Sequence, residues 1–213
     1  MTITIFDEVE QGTPEWYAVR MGIPTASMFS TVMASGRGGG DSKTRATYMR
    51  KLAGEALTGE PMENFTNGYV ERGKRMEAEA RDYYAMQTDT DPEQVGFIRY
   101  QYETGATGGS PDALIGNDGL LEIKTKAPHL LIETIESDRM PPEYRHQQQG
   151  LLWLAKREWC DLCCYWPKMP KFIKRTYRDE DMIQDIKNAV YAFNDELALL
   201  VERMRAISFM VTL

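Results

Sequence analysis

Two acidic residues and a lysine lie in a short stretch that is typical of two strands joined by a tight turn. The first strand carries Asp112, and the second carries Glu122 and Lys124, two residues apart. Residues 117–119 between them are Asn-Asp-Gly, which tolerate a positive φ and favour such a turn. Alternate residues of a strand share a face, so Glu122 and Lys124 lie on one side of the sheet. The hairpin can therefore bring Asp112 close to both.

This combination of side chains favours a metal site that acts on phosphate esters. Two carboxylates and an ammonium are costly to bury together unless a partner compensates. Carboxylate oxygens suit Mg²⁺ or Mn²⁺, and Lys124 could orient or deprotonate a metal-bound water, or stabilise charge on phosphorus. The alternative is a surface hairpin with an ordinary Glu–Lys pair. The Ser-Pro-Asp at 110–112 and the apolar strand residues favour the metal site.

The Pro-Asp…Glu-x-Lys arrangement over 111–124 resembles the nuclease motif of the restriction-endonuclease-like, or PD-(D/E)XK, superfamily. The resemblance implies an α/β fold in which helices flank a central mixed β-sheet. It also implies that Asp112, Glu122 and the carbonyl of Ile123 hold Mg²⁺, with Mn²⁺ as an alternative and two ions per site. Lys124 would assist the attacking water.

A second group of candidate residues lies near the N-terminus. Thr13 and Pro14 are suited to begin a helix that runs to Arg20, and a second helix is predicted from 25 to about 34. Arginine suits bidentate phosphate contacts, and Ser27 would lie in the first turn of the second helix, where anions are favoured. Trp16 is predicted to pack in the core.

The pattern Gln-Gly-x-x-x-Trp-x-x-x-Arg followed by Gly-x-x-Thr-Ala-Ser, over 11–27, resembles the N-terminal signature of the lambda-exonuclease (YqaJ-type) viral recombinase family. The resemblance implies that Arg20 and Ser27, together with Ser110, bind the 5′-phosphate of a DNA end. It also implies that Arg37, in the Gly-rich loop over 34–43, contacts DNA. A solvated loop arginine is the alternative for Arg37.

Two later elements extend the resemblance. Residues 73–77 match the family's Gly-x-x-x-Glu element on a helix predicted over 67–86, which implies that Glu77 projects toward the metal. A solvated helix face is the default for such a glutamate. Residues 144–149 match Tyr-x-x-Gln-x-Gln in a helix that begins near Pro141, and alignment assigns the glutamine that reaches the active site to Gln149 rather than Gln147.

The remaining pattern predicts a single nuclease domain over 1–213. Its parts are a helical DNA-end-binding region at about 1–92, a catalytic sheet core at about 93–178 and a C-terminal helix at about 180–205. Within these parts, strands are predicted over 94–100, 159–166 and 172–177. A further helix is predicted over 44–57.

Composition limits the class of protein. The net charge of −7 argues against a protein that coats nucleic acid, although basic residues cluster at 37–50 and 168–178. The three cysteines, all within 160–164, are predicted to be buried strand thiols; a zinc site lacks a second ligand pair. With no long apolar run and no signal-peptide pattern, we expect no membrane association and a cytoplasmic location in a bacterium or phage-infected host.

The family resemblance implies a Mg²⁺-dependent 5′→3′ exonuclease that degrades one strand of duplex DNA and leaves 3′ overhangs for phage-type recombination. It further implies a homotrimeric ring and a single-strand annealing protein as partner. One alternative is a catalytically inactive DNA-end-binding scaffold, which the intact Asp112, Glu122 and Lys124 disfavour. The other is a PD-(D/E)XK endonuclease, for which no extra recognition domain is visible in the sequence.

Overall fold

The computed structural model describes residues 1–36, 42–62 and 68–211, and these form a mixed α/β fold with two sheets. The strands are β1 (Thr2–Phe6), β2 (Pro92–Glu93), β3 (Phe97–Tyr102), β4 (Gly105–Gly109), β5 (Ala113–Ile115), β6 (Gly119–Thr125), β7 (Trp159–Tyr165) and β8 (Phe172–Tyr177). The helices are α1 (Pro14–Arg20), α2 (Phe29–Val32), α3 (Lys43–Thr58), α4 (Gly68–Thr88), α5 (Pro128–Ser137), α6 (Arg145–Ala155) and α7 (Glu180–Val211). Short 3₁₀ turns precede α2 and α6, at Ala26–Met28 and Pro142–Tyr144.

The larger sheet has the order β2-β5-β6-β7-β8 and is mixed, as predicted. β6 and β7 are parallel over seven residue pairs, from Gly119 opposite Trp159 to Thr125 opposite Tyr165, and the other pairs are antiparallel. A parallel pair needs a long crossover connection, which α5 and α6 supply. The crossover brings α6 against the sheet beside the acidic hairpin.

A second, three-stranded antiparallel sheet has the order β1-β3-β4 and was not predicted as a separate layer. Thr25 forms an isolated parallel bridge with Gly108 of β4. The carbonyl of Pro24 accepts hydrogen bonds from Gly108 N at 3.3 Å and Thr107 Oγ1 at 2.7 Å. These bonds attach the segment that follows α1 to the end of β4, directly before the hairpin.

Helices cover the larger sheet on two sides, and the alternation of β6 divides its side chains between them. Leu121 and Ile123 pack in a cluster with Met76 and Tyr84 of α4. Leu120 packs in the main core cluster with residues of α3, α6 and α7. Glu122 and Lys124 therefore face away from the α4 cluster, as the alternation of the strand predicted.

The hairpin turn differs from the prediction in one detail. The left-handed residue is Gly116, with φ of +51°, rather than a residue of 117–119. Gly119 is the first residue of β6, where an added Cβ would lie 2.3 Å from the ring of Trp159. Glycine is needed there because an aromatic ring covers it.

Two helices also differ in extent from the prediction. The segment predicted as one helix over 25–34 is divided into a 3₁₀ turn and α2, and α7 continues to Val211. The three cysteines are buried free thiols on β7, as expected, and burial raises the pKa of each. Across 1–36, 42–62 and 68–211, none of the helices combines the length and apolar character that crossing a bilayer requires.

Candidate active site

Asp112 lies directly across from Glu122 at the open end of the hairpin. β5 pairs with β6 so that Ala113 is opposite Leu121, and Asp112 N donates to Leu121 O at 3.1 Å, which continues the ladder by one residue. The Asp112 carboxylate accepts a hydrogen bond from Ile123 N at 2.5 Å. The hairpin therefore brings Asp112, Glu122 and Lys124 together, as the strand pattern predicted.

Glu122 is almost completely buried and has few electrostatic partners. Its side chain is 1% exposed, and Lys124 Nζ lies 3.0 Å from Oε2. That contact is an ion pair between opposite charges, and neither carboxylate oxygen accepts a hydrogen bond of acceptable geometry. Burial raises the pKa of Glu122 to about 8; Lys124 opposes the rise, and Asp112 adds to it. Buried carboxylate oxygens that accept no hydrogen bond are rare in proteins and call for a ligand.

Lys124 is held in its charged form. Burial disfavours the ammonium, but Glu122 and Asp112 outweigh burial and raise the pKa of Lys124 above its usual value. The ring of Tyr144 also lies near the ammonium, with its centroid 5.6 Å from Nζ. Burial raises the pKa of Asp112 as well, while Lys124 and the Ile123 N–H oppose the rise.

The donor set at this position fits a hard divalent cation. One ammonium balances only part of the charge of two carboxylates, and neither oxygen of Glu122 accepts a hydrogen bond. Asp112, Glu122 and the Ile123 carbonyl would supply oxygen ligands, which Mg²⁺ and Mn²⁺ prefer. In the parts of the chain that the structure describes, no three His, Cys, Asp or Glu side chains are grouped closely enough to form a metal site by themselves. The set is thus unlike a structural zinc site.

A cavity of about 190 Å³ joins these residues to the predicted phosphate ligands. It is lined by Arg20, Ser27, Ser110, Asp112, Glu122 and Lys124, and also by Gln11, Trp16, Thr25, Ala26, Phe97, Gly109, Gln147 and Leu151. Six residues singled out in three separate sequence segments therefore meet in one cavity.

Arg20 and Ser27 are linked through Thr25. The guanidinium of Arg20 donates to Thr25 Oγ1 at 3.4 Å, and Thr25 Oγ1 lies 3.4 Å from Ser27 Oγ. Thr25 is buried and its backbone N–H donates to Tyr48 Oη at 3.2 Å, while Ser27 is exposed. The bridge from Thr25 to β4 thus determines where the Arg20 side of the cavity lies.

Glu77 lies next to this cavity rather than in its wall. Its Oε1 accepts a hydrogen bond from Arg81 at 2.7 Å, and it lines a neighbouring cavity of about 550 Å³ that also contacts Gln11 and Trp16. Its charge contributes to the raised pKa of Glu122. The resemblance implied that Glu77 projects toward the metal; in the structure its charge acts on Glu122 from outside the cavity, and its carboxylate is paired with Arg81.

The assignment of the active-site glutamine to Gln149 was wrong. Gln149 is 2% exposed, its Nε2 donates to Tyr177 O at 2.8 Å, and its Oε1 accepts from Asp179 N at 2.9 Å. Gln147 lines the cavity instead. Two residues two positions apart on a helix are separated by about 200° around its axis, so they cannot both face the site.

Two other outcomes concern residues outside the acidic hairpin. Arg37 lies outside the described residues. Trp16, predicted as a core residue, is partly exposed and contacts both Arg20 and Ser110: its ring centroid is 4.1 Å from the Arg20 guanidinium carbon, and its indole N–H donates to Ser110 Oγ at 2.9 Å. Its four-residue spacing from Arg20 on a helix was the signal available in the sequence.

Comparison with known proteins gives a consistent result. Residues 15–158 match the YqaJ-like viral recombinase domain. The crystal structure of the alkaline exonuclease LHK-Exo from Laribacter hongkongensis is 32% identical, with a TM-score of 0.82 over 93% of this chain and 100% of that chain. A structure of LHK-Exo in complex with dAMP is 33% identical, with a TM-score of 0.84 and the same coverage.

A more distant structure shares the fold. The phage-related exonuclease from Haemophilus somnus 129PT is 14% identical, with a TM-score of 0.65 over 88% of this chain and 99% of that one. A search of curated protein sequences gave no significant match.

Proposed function

The chain belongs to the YqaJ-like viral recombinase family, and on that premise we propose that it is a metal-dependent exonuclease that degrades duplex DNA from its ends. One observation carries the proposal. Glu122 is buried with both oxygens free of hydrogen bonds, beside Asp112 and Lys124, in the same cavity as Arg20, Ser27 and Ser110. Such a cavity combines ligands for a cation with donors for a phosphate.

Asp112, Glu122 and the Ile123 carbonyl would hold Mg²⁺, or Mn²⁺ in its place, with two ions per site. The bound metal would polarise the scissile phosphodiester and lower the pKa of a water. Glu122 must be ionised to act as a ligand, and its pKa of about 8 means that binding the metal displaces a proton at neutral pH. Asp112 is fixed for this role because its carboxylate accepts the Ile123 N–H.

Lys124 would act as a hydrogen-bond donor. Its raised pKa keeps the side chain an ammonium at neutral pH, and an ammonium has no lone pair with which to accept a proton. It can orient a water through one N–H and stabilise the charge that develops on the phosphate oxygens.

Arg20, Ser27 and Ser110 together form what we call the phosphate seat. A strand whose 5′-phosphate binds Arg20 would present its next phosphodiester to the acidic pair, because both groups line one cavity of only about 190 Å³. A terminal phosphate bound there would place the end of the strand, rather than its interior, beside the acidic pair. Digestion would then proceed 5′→3′ and leave 3′ single-stranded overhangs.

The family name supports a role in phage-type recombination, in which the overhang passes to a single-strand annealing protein. A homotrimeric ring with a basic inner surface would allow a chain of net charge −7 to hold DNA. We propose this assembly, and a cytoplasmic location, as parts of the same function.

The test uses linear duplex DNA labelled separately at the 5′ and 3′ ends of each strand, with 5′-phosphate or 5′-hydroxyl ends, in Mg²⁺ or EDTA. We expect metal-dependent release of 5′ mononucleotides, faster from phosphorylated ends and lost in Lys124→Ala. Lys156→Ala, at an exposed position outside both basic clusters, is the matched control and should digest as the wild type does. Cutting of closed circular DNA would indicate an endonuclease. Binding of ends without cleavage in any metal would indicate a scaffold.

A further inference from the structure

Trp16 contacts two members of the phosphate seat that are distant in sequence. The Arg20 guanidinium carbon lies 4.1 Å from the centroid of its ring, a favourable cation–π arrangement. The indole Nε1 donates to Ser110 Oγ at 2.9 Å, across 94 residues of sequence. The position of the ring is itself restrained, because it packs against the cluster of Ile23, Phe97 and Ala106 and the Trp16 backbone is fixed at the start of α1 by the N-cap Thr13. One restrained side chain therefore touches both Arg20 and Ser110.

The indole N–H also serves a buried backbone carbonyl. Nε1 lies 3.1 Å from the carbonyl oxygen of Gly96, and Ser110 Oγ donates to the same oxygen at 2.5 Å. Gly96 is buried, and a buried carbonyl without a donor is unfavourable. The Gly96 carbonyl thus accepts from both the indole N–H and the Ser110 hydroxyl, and one of these donors is enough to satisfy it.

This second donor matters because a serine hydroxyl has a single proton. While Ser110 donates to Gly96, that proton is not available to a phosphate. If the hydroxyl rotates toward a phosphate, the indole N–H still donates to Gly96, so the carbonyl is not left unpaired. The rotation therefore exchanges one hydrogen bond for a charge-assisted one without creating an unsatisfied buried group.

We propose that Trp16 is a positioning residue that gives the site its preference for 5′-phosphorylated ends. Its N–H releases the Ser110 hydroxyl to the phosphate, and its ring face holds the Arg20 guanidinium. The inference rests on the proposed function, since it concerns the same phosphate seat. A role in packing alone would require only a flat apolar ring, because Trp16 also packs against the cluster of Ile23, Phe97 and Ala106.

The distinction is tested with Trp16→Phe, which keeps a ring beneath Arg20 and removes the N–H. The measurement is kcat/KM on one duplex with 5′-phosphate or 5′-hydroxyl ends, for the wild type, Trp16→Phe, Ser110→Ala and the double variant. The phosphate-to-hydroxyl ratio is kcat/KM for the 5′-phosphorylated duplex divided by kcat/KM for the 5′-hydroxyl duplex. We expect this ratio to fall about tenfold in each single variant, because each loses one charge-assisted hydrogen bond. The double variant should fall no further than either single variant, because both changes act through the same hydroxyl.

Trp159→Phe is the matched control. Its ring also contacts a guanidinium, that of Arg175 at 3.5 Å, but it lines a different cavity beside 116–118. Its phosphate-to-hydroxyl ratio should equal that of the wild type, and thermal unfolding verifies that each variant is folded. Ser110→Ala leaves Gly96 bonded to the indole, so this variant tests the seat even if Trp16→Phe unfolds.

The outcomes separate the two proposals. A wild-type preference for phosphorylated ends that persists in Trp16→Phe would overturn the role of Trp16 and leave the nuclease function intact. If the reductions in the phosphate-to-hydroxyl ratio caused by Trp16→Phe and Ser110→Ala multiplied in the double variant, the role of Trp16 would also be overturned. A wild-type protein that releases no nucleotides from DNA ends would overturn the proposed function, and the inference with it.

Discussion

Replacing Glu122 by Gln is expected to make the metal-free protein more stable at alkaline pH. Glu122 is 1% exposed, and neither of its oxygens accepts a hydrogen bond. A carboxyl with a pKa of 4.5 in the unfolded chain and about 8 in the folded protein destabilises the fold by roughly 5 kcal/mol once the pH exceeds both values, at about 1.36 kcal/mol per pH unit. Glutamine has nearly the same shape and does not ionise.

The sign of the effect depends on pH. Below pH 4.5 the carboxyl is protonated in both states, so Glu122→Gln should change the free energy of unfolding little. Between pH 4.5 and about 8 the folded protein retains a proton that the unfolded chain has released, so the wild type loses stability relative to the variant as the pH rises. Above about 8 the difference becomes constant.

Urea unfolding in EDTA at pH 5, 7 and 9 measures this difference. Glu133→Gln, at an exposed position of α5, is the control for the substitution itself. Added Mg²⁺ should stabilise the wild type at pH 9 and not Glu122→Gln, because the ligand binds only the folded, ionised site. A difference that is constant with pH, or a variant less stable than the wild type at pH 9, would refute the reasoning.

Three further predictions follow from the same structure. Gln147→Ala should slow digestion and change the melting temperature little. Gln149→Ala loses two hydrogen bonds to backbone groups and should lower the free energy of unfolding by about 2–4 kcal/mol. Turnover and urea unfolding, measured on both variants, distinguish the two effects. Asp161→Ala removes a 2%-exposed carboxylate that accepts two hydrogen bonds from Arg175. Because Arg175 is 41% exposed, water can still solvate its charge in the variant, so the free energy of unfolding should fall by only about 2–4 kcal/mol. Cleavage should be retained at low temperature. Glu122 must release a proton to bind Mg²⁺, so the Mg²⁺ affinity measured by calorimetry should rise up to tenfold per pH unit between pH 6 and 8. Equal affinities at pH 6 and pH 8 would contradict this role of Glu122.

The acidic hairpin could be predicted from sequence because its geometry is local. The two-residue period of a strand determines that Glu122 and Lys124 share a face, and a short turn brings Asp112 opposite. Only the position of the left-handed residue was wrong. Gly116 takes it, while Gly119 is required by the ring of Trp159, a contact across 40 residues that no local pattern contains.

The three-stranded sheet could not be predicted as a whole: β3 and β4 form a local hairpin, but the pairing of β1 with β3 is distant in sequence. Thr2 pairs with Gln101, and the sheet edge near Thr25 is completed only by a bridge to Gly108. The role of Trp16 has the same cause, since its partner Ser110 is brought close by that sheet. Long-range pairing depends on tertiary packing rather than on local propensity.

The glutamine assignment shows a different limit. Gln147 and Gln149 fit the same short pattern, and only the orientation of α6 against the sheet separates them. Gln149 faces the connection between β8 and α7, where both of its amide atoms are bonded to backbone groups. A motif identifies the helix that reaches a site, while the packing of that helix selects the residue.

The most direct test of the metal site is the anomalous difference map of a crystal soaked in Mn²⁺. We predict a peak at Asp112 and Glu122 in the wild type, together with metal-dependent digestion of the same preparation, and no peak in Glu122→Gln. A peak elsewhere, or full occupancy in Glu122→Gln, would contradict the assignment of this buried carboxylate as the metal ligand.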